Sequence, residues 1–174
     1  MEDEYRVSPD GRFAAVFDGH GGGSVSKYLE AHLFNNFQQI LANGTSDVYT
    51  DEMVQTALKD SLAKVDREVC AVDSMESVGS TVSLVYVNIQ DPITREGSII
   101  SANIGDSRAV LSRKGKAIAL TKVSLFSPNM KHLTSPVHVL RLIYFRITNP
   151  MTQRRPNVYI LLAEQWKAFG VFLE

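Results

Sequence analysis

Apolar positions follow two different periods along this chain. Phe13 to Phe17 is an unbroken apolar run of strand length, too short for a helix. Ser8-Pro-Asp-Gly11 just before it is a turn signal, so residues 4–7 and 13–17 are predicted to pair as a hairpin. From Ser24 to Leu41 the residues Val25, Tyr28, Leu29, Leu33, Phe37, Ile40 and Leu41 recur at helical spacing. Asn43-Gly44 then offers residue types that tolerate a left-handed helix cap. Thr50, followed by Met53, Val54, Ala57, Leu58, Leu62, Val65 and Val69, predicts a second amphipathic helix. Asp51 and Glu52 suit the positive end of its dipole.

The texture then becomes β. Val78 to Val87 is rich in β-branched residues, and Thr81 and Ser83 alternate with Val82 and Leu84 as in a half-buried strand. Ser98–Ile104, a tight turn at Gly105-Asp106, Ser107–Ser112 and Ala117–Leu120 read as further strands. Beyond residue 121, Val137–Ile147 and Val158–Leu162 are strand-like, with Pro128, Pro136, Pro150 and Pro156 between and around them.

Composition narrows the class without naming a function. The chain has 174 residues, 44% of them hydrophobic and 21% charged, which is ordinary for a soluble globular domain with a real core. A net charge of −1 and no dense Lys/Arg run argue against nucleic acid as a partner. No run reaches the roughly 18 apolar residues of a membrane span, so no membrane partner is expected. The acidic, polar start, Met-Glu-Asp-Glu-Tyr-Arg, is unlike a signal peptide. The single cysteine, Cys70, excludes an internal disulfide and a cysteine-based zinc site. It fits an intracellular location, cytoplasmic or nuclear, and is expected to be a buried structural thiol rather than a nucleophile. Charge is unevenly spread. Residues 1–121 hold 11 basic and 17 acidic residues, a net of −6, whereas residues 122–174 hold 7 and 2, a net of +5.

Candidate chemistry gathers where the first strand ends, at Asp18-Gly-His-Gly-Gly-Gly23. The glycines allow a tight turn and close approach of backbone to a ligand. A carboxylate at the end of a buried strand is held rigidly at the rim of a sheet. Asp and a free carbonyl are hard oxygen donors, suited to magnesium or manganese rather than zinc. The predicted hairpin brings Glu2 or Asp3 near Asp18. Gly105-Asp106 is a second carboxylate-bearing turn. From these segments alone, a strand-to-helix connection with a solvated Asp and an ordinary hairpin turn fit as well.

Taken together, four segments narrow the choice. Met1-Glu-Asp3, Phe17-Asp-Gly-His-Gly-Gly22, Gly79-Ser-Thr81 and Ala102-Asn-Ile-Gly-Asp-Ser-Arg-Ala-Val-Leu111 stand in the order and rough spacing of the metal-dependent type 2C protein serine/threonine phosphatases. The resemblance covers residues 1 to about 121. It implies an α+β fold, an αββα sandwich of two antiparallel sheets flanked by helix pairs, of which this chain is expected to hold a truncated part. It implies two magnesium or manganese ions at the carboxylate rim and a phosphoprotein substrate. By position, Asp18 matches the Asp that bridges both metals, and Gly19 the residue that offers its carbonyl. Glu2 matches a metal-holding Glu, and Asp3 the neighbouring acid that supports the water shell. Asp106 matches an Asp of a third, weaker metal site. His20 matches a His that protonates the leaving alkoxide. The reaction so implied is attack of a metal-activated water on phosphoserine or phosphothreonine, with no phosphoenzyme.

The departures lie at both ends. The family carries a phosphate-binding Arg a few residues before Met-Glu-Asp, and this sequence begins at that Met. After Ala117-Ile-Ala-Leu-Thr121 the family's next segments, which supply further metal carboxylates, have no counterpart. Residues 122–174 contain Glu164 and Glu174 and no Asp. The expected organisation is therefore the N-terminal part of a type 2C phosphatase domain over residues 1–121 and a divergent tail over 122–174. The expected function is a truncated, impaired phosphatase, or alternatively an inactive half-phosphatase that acts as a binding or regulatory module. Oligomeric state is not legible here. Loss of covering strands predicts marginal stability.

Overall fold

The computed structural model describes residues 2–43, 48–75, 77–91, 96–113 and 115–121, together with the strand backbones at 138–139, 143–146, 158–163 and 168–172. Strand β1 (Glu4–Val7) pairs antiparallel with β2 (Phe13–Phe17), with Glu4 opposite Phe17 and Val7 opposite Ala14. The turn between them is fastened by Ser8. Its hydroxyl donates to Asp10 Oδ1 (2.5 Å) and accepts from the Phe13 N–H (2.9 Å). A two-residue strand, β3 (Gly19–His20), follows Asp18, and the first helix begins four residues later.

Helix α1 (Ser24–Ala42) and helix α2 (Asp51–Cys70) lie where the 3.6-residue period places them. Thr50 caps α2, accepting the Met53 N–H at 3.2 Å. Of the expected Asn43-Gly44 cap, Gly44 lies outside the described residues. Asn43 keeps right-handed helical angles (φ −68°), and its N–H simply continues the ladder to the Gln39 carbonyl. Cys70 is not the buried thiol expected from the sequence. It is the last residue of α2 and is exposed, because the apolar stripe that buries Val65 and Val69 does not extend to its side of the helix.

The predicted strand over 78–87 is two strands. Gly79–Ser80 forms β4, which pairs with β3, and after Thr81 the chain continues as β5 (Val82–Asp91). Strand β5 is buried on both faces rather than one. Val82, Leu84 and Tyr86 face the helices, while Ser83, Val85 and Val87 face a second sheet. The polar alternation at Thr81 and Ser83 thus marks small polar residues inside a sandwich, not a solvated face. Strands β6 (Glu96–Ile104), β7 (Arg108–Arg113) and β8 (Lys116–Ala119) complete the segment before residue 121.

The later residues also contribute strands: β9 (His138–Val139), β10 (Ile143–Arg146), β11 (Val158–Ala163) and β12 (Ala168–Phe172). The first sheet runs β1-β2-β5-β6-β10, with β9 also paired to β6, and the second runs β12-β11-β7-β8. Every pairing is antiparallel. The helix pair packs on the outer face of the first sheet. Phe13, Phe17, Leu29, Phe37, Leu58 and Leu84 are among the buried residues of that layer. Ala14, Val16, Val85, Ile99 and Leu111 fill the layer between the sheets. This explains why β2 reads as a continuous apolar run: alternate residues serve different cores, and none meets water. The observed fold is α+β with three layers, helices, sheet and sheet; among the described residues the α-helices are α1 and α2. No helix among them is long and apolar enough to cross a membrane.

Candidate functional site

The rim of the first sheet is built where β2 stops. Continuing the β1–β2 register one step past Glu4 and Phe17 brings Asp3 level with Asp18. Glu2 is brought in further along. Its carbonyl accepts the Ser26 hydroxyl and lies where a side chain on Gly19 would have to stand. Only glycine at position 19 leaves room for that approach. Asp3 and Asp18 are half-buried, Gly19 is buried, and Glu2 and His20 are exposed.

The β3–β4 ladder sets His20 directly opposite Gly79, and the imidazole folds over that glycine. A Cβ at position 79 would collide with Nε2 and Cε1 of the ring. His20 therefore has a fixed backbone, a glycine floor and an exposed edge.

Asp106 sits in the turn between β6 and β7, half-buried, next to Gly105 at φ +92°, a conformation that favours glycine. Thr81 joins this turn to the Asp18 segment. Its N–H donates to the Asp18 carbonyl (2.9 Å), its Oγ1 accepts the Asp18 N–H (3.2 Å), and the same hydroxyl lies 2.6 Å from Ser107 Oγ. Asn103 Nδ2 donates to the Gly105 carbonyl at 3.0 Å and fastens the turn from β6.

Thr81 and Ser107 are site residues that sequence reading places inside strands and assigns no role. The only signal is the Gly79-Ser-Thr81 triplet, which is common. Cys70 plays no part in this rim. Desolvation, followed by the nearby Asp66 carboxylate, raises its thiol pKa, which disfavours the thiolate a nucleophile needs.

In kind, the oxygen donors of Asp18, Gly19, Glu2 and Asp106 suit a hard divalent cation. In number they fall short. Among the described residues, no group of three or more His, Cys, Asp or Glu side chains converges as a metal cage.

A profile of protein phosphatase 2C matches residues 2–124. "Probable protein phosphatase 2C 42" of Arabidopsis thaliana is 32% identical over 133 residues, covering 72% of this chain and 32% of that protein. "Probable protein phosphatase 2C 45" of Oryza sativa subsp. japonica is 35% identical over 128 residues, with 70% and 41% covered. The chain thus spans about a third of the length of the curated relatives it matches. Among solved structures, a C. elegans sex determining protein superposes with a TM-score of 0.62 at 18% identity, covering 92% of this chain and 47% of that one. The Mycobacterium tuberculosis serine/threonine phosphatase PstP/Ppp gives 0.54 at 17%, with 92% and 70% covered. At such identities these two likenesses speak for the fold.

Proposed function

We propose that this chain, which belongs to the protein phosphatase 2C family, carries one side of a metal-dependent site that hydrolyses phosphoserine and phosphothreonine in proteins, and that it is impaired when it acts alone. The observation that carries the reading is the arrangement of the rim. Asp18, Asp3 and Glu2 are drawn to one strand end, with His20 mounted beside them on the β3–β4 ladder.

In this reading Asp18, the Gly19 carbonyl and Glu2 are donors toward two magnesium or manganese ions of a complete site, Asp3 supports their water shell, and Asp106 serves a third, weaker site. Among the described residues these donors do not form a cage of three or more side chains. What the residues themselves do is limited and definite. Asp18 presents a carboxylate from a rigid strand end. His20, exposed and opposite a glycine, is in this reading the residue that gives a proton to a leaving alkoxide. The substrate is a phosphoprotein, and an intracellular setting belongs to the same proposal.

The shortage of converging ligands favours a second reading, an inactive half-phosphatase that serves as a binding or regulatory module. Hydrolysis of a phosphothreonine peptide by the full chain, with and without manganese, separates the two. Slow, manganese-dependent hydrolysis that is lost in Asp18→Asn supports the enzyme. No hydrolysis by a chain that is folded by circular dichroism overturns it and leaves the module.

A further inference from the structure

We propose that Thr81 is a positioning residue, a clamp that sets the spacing between the Asp18-Gly19-His20 segment and the Gly105-Asp106 turn. This deepens the phosphatase reading of the rim and takes its functional meaning from it. Thr81 lies in the break between β4 and β5, where the chain leaves one ladder and enters another. It is almost fully buried, as is Ser107. Each of its groups is engaged toward the rim. The N–H holds the Asp18 carbonyl, and Oγ1 holds the Asp18 N–H and meets the Ser107 hydroxyl. The methyl lies under the second turn, with Cγ2 2.8 Å from where a Cβ on Gly105 would stand. The Thr81 carbonyl accepts the Ser80 hydroxyl at 2.9 Å, which ties the clamp back to the His20 ladder.

Asp18 and Asp106 lie on separate chain segments 88 positions apart in sequence. The β2–β5 and β5–β6 ladders fix the sheet, but Asp18 and Asp106 both lie beyond the last paired residues, Val16 with Ser83 and Val82 with Ile104. Past those pairs, the Thr81 hydroxyl links the two segments through the Asp18 N–H and the Ser107 hydroxyl. Oriented ligands depend on such supporting hydrogen bonds, and losing one typically costs a metal or catalytic site about 10-fold or more.

The test is amide hydrogen exchange on the full chain in three forms: wild type, Thr81→Val, which keeps the shape and removes the hydroxyl, and Thr81→Ser, which keeps the hydroxyl. In Thr81→Val, amides of residues 17–20 and of 104–108 should exchange together about 3- to 10-fold faster, the factor one hydrogen bond contributes to a local opening. Amides of α1 and of residues 84–87 should stay unchanged, and Thr81→Ser should restore near-wild-type exchange. Ser107→Ala, which keeps the Thr81–Asp18 bonds, should loosen 104–108 alone. Unchanged exchange in Thr81→Val, loosening of only one segment, general loosening that includes α1, or failure of serine to rescue would each overturn the clamp. Peptide hydrolysis by the wild type is read separately. Its absence removes the phosphatase reading while the exchange result still decides the clamp.

Discussion

At position 79 a single methyl group decides how His20 is held. Because a Cβ there collides with the imidazole, Gly79→Ala should turn the ring away while the short β3–β4 ladder survives. The expected result is a shift of the His20 Cε1–H resonance with an unchanged circular dichroism spectrum; an unmoved resonance would show that the ring does not rest on Gly79. Cys70 gives a second prediction at this scale. Its folded pKa is raised, first by desolvation and then by Asp66, so its thiolate should form at higher pH in the folded chain than in the denatured one. The sign follows: the folded state favours the protonated thiol, so this group's contribution to stability is present below the unfolded pKa and is lost as pH rises through the folded one. Alkylation rates against pH, in folded and denatured chain, measure the offset. Asp66→Asn should reduce it without abolishing it.

Elements were legible to the extent that each carries its own period. Helices α1 and α2 follow from an apolar stripe many residues long, and β2 from an apolar run bounded by turn residues. The β3–β4 ladder is two residues long, below any period, and joins residues 59 positions apart in sequence, His20 and Gly79. Likewise Ser83 looks solvent-facing until the second sheet is known to cover it. Asp18 and Asp106 are legible as candidates because carboxylates beside turns stand out in sequence, and Glu2 and Asp3 because the predicted hairpin brings one of them toward Asp18. The hydroxyls that hold them apart are not, because Ser and Thr fill many strands. The start of α2 shows what local chemistry contributes. Thr50→Ala removes the cap and should cost about 1 kcal/mol, read as a lower thermal midpoint. Asp51→Ala should cost more, since Asp51 Oδ1 accepts from both Asn88 Nδ2 and the Ser98 hydroxyl and so pins the helix to the far end of the sheet.

The whole molecule is a sandwich whose sheets both draw on residues beyond 137. β9 and β10 line the outer edge of β6, and β11 stands between β7 and β12. Open edges invite pairing with other chains, so these strands bear on solubility as much as on stability. In the ladder, Leu161 faces Val110 on one side and Gly170 on the other. Leu161→Pro removes an N–H from a central strand and should lower the thermal midpoint by several degrees and promote aggregation. An unchanged midpoint would mean that β11 adds little to the second sheet.

Under the proposed function, the carboxylate rim at Asp18 is where this chain would meet a divalent cation. Paramagnetic broadening by manganese tests it most directly, residue by residue in a 15N-labelled full chain. The account predicts that substoichiometric manganese broadens the amides of Asp3, Asp18, Gly19 and His20, more weakly those of Gly105 and Asp106, and that Asp18→Asn abolishes this. The acids at the start of α2, Asp51 and Glu52, are the internal control. Asp51 accepts a hydrogen bond from Asn88, six residues along β5 from Val82 and so roughly 20 Å from the rim. Broadening centred on Asp51 and Glu52, or none at residues 18–20, would contradict the account.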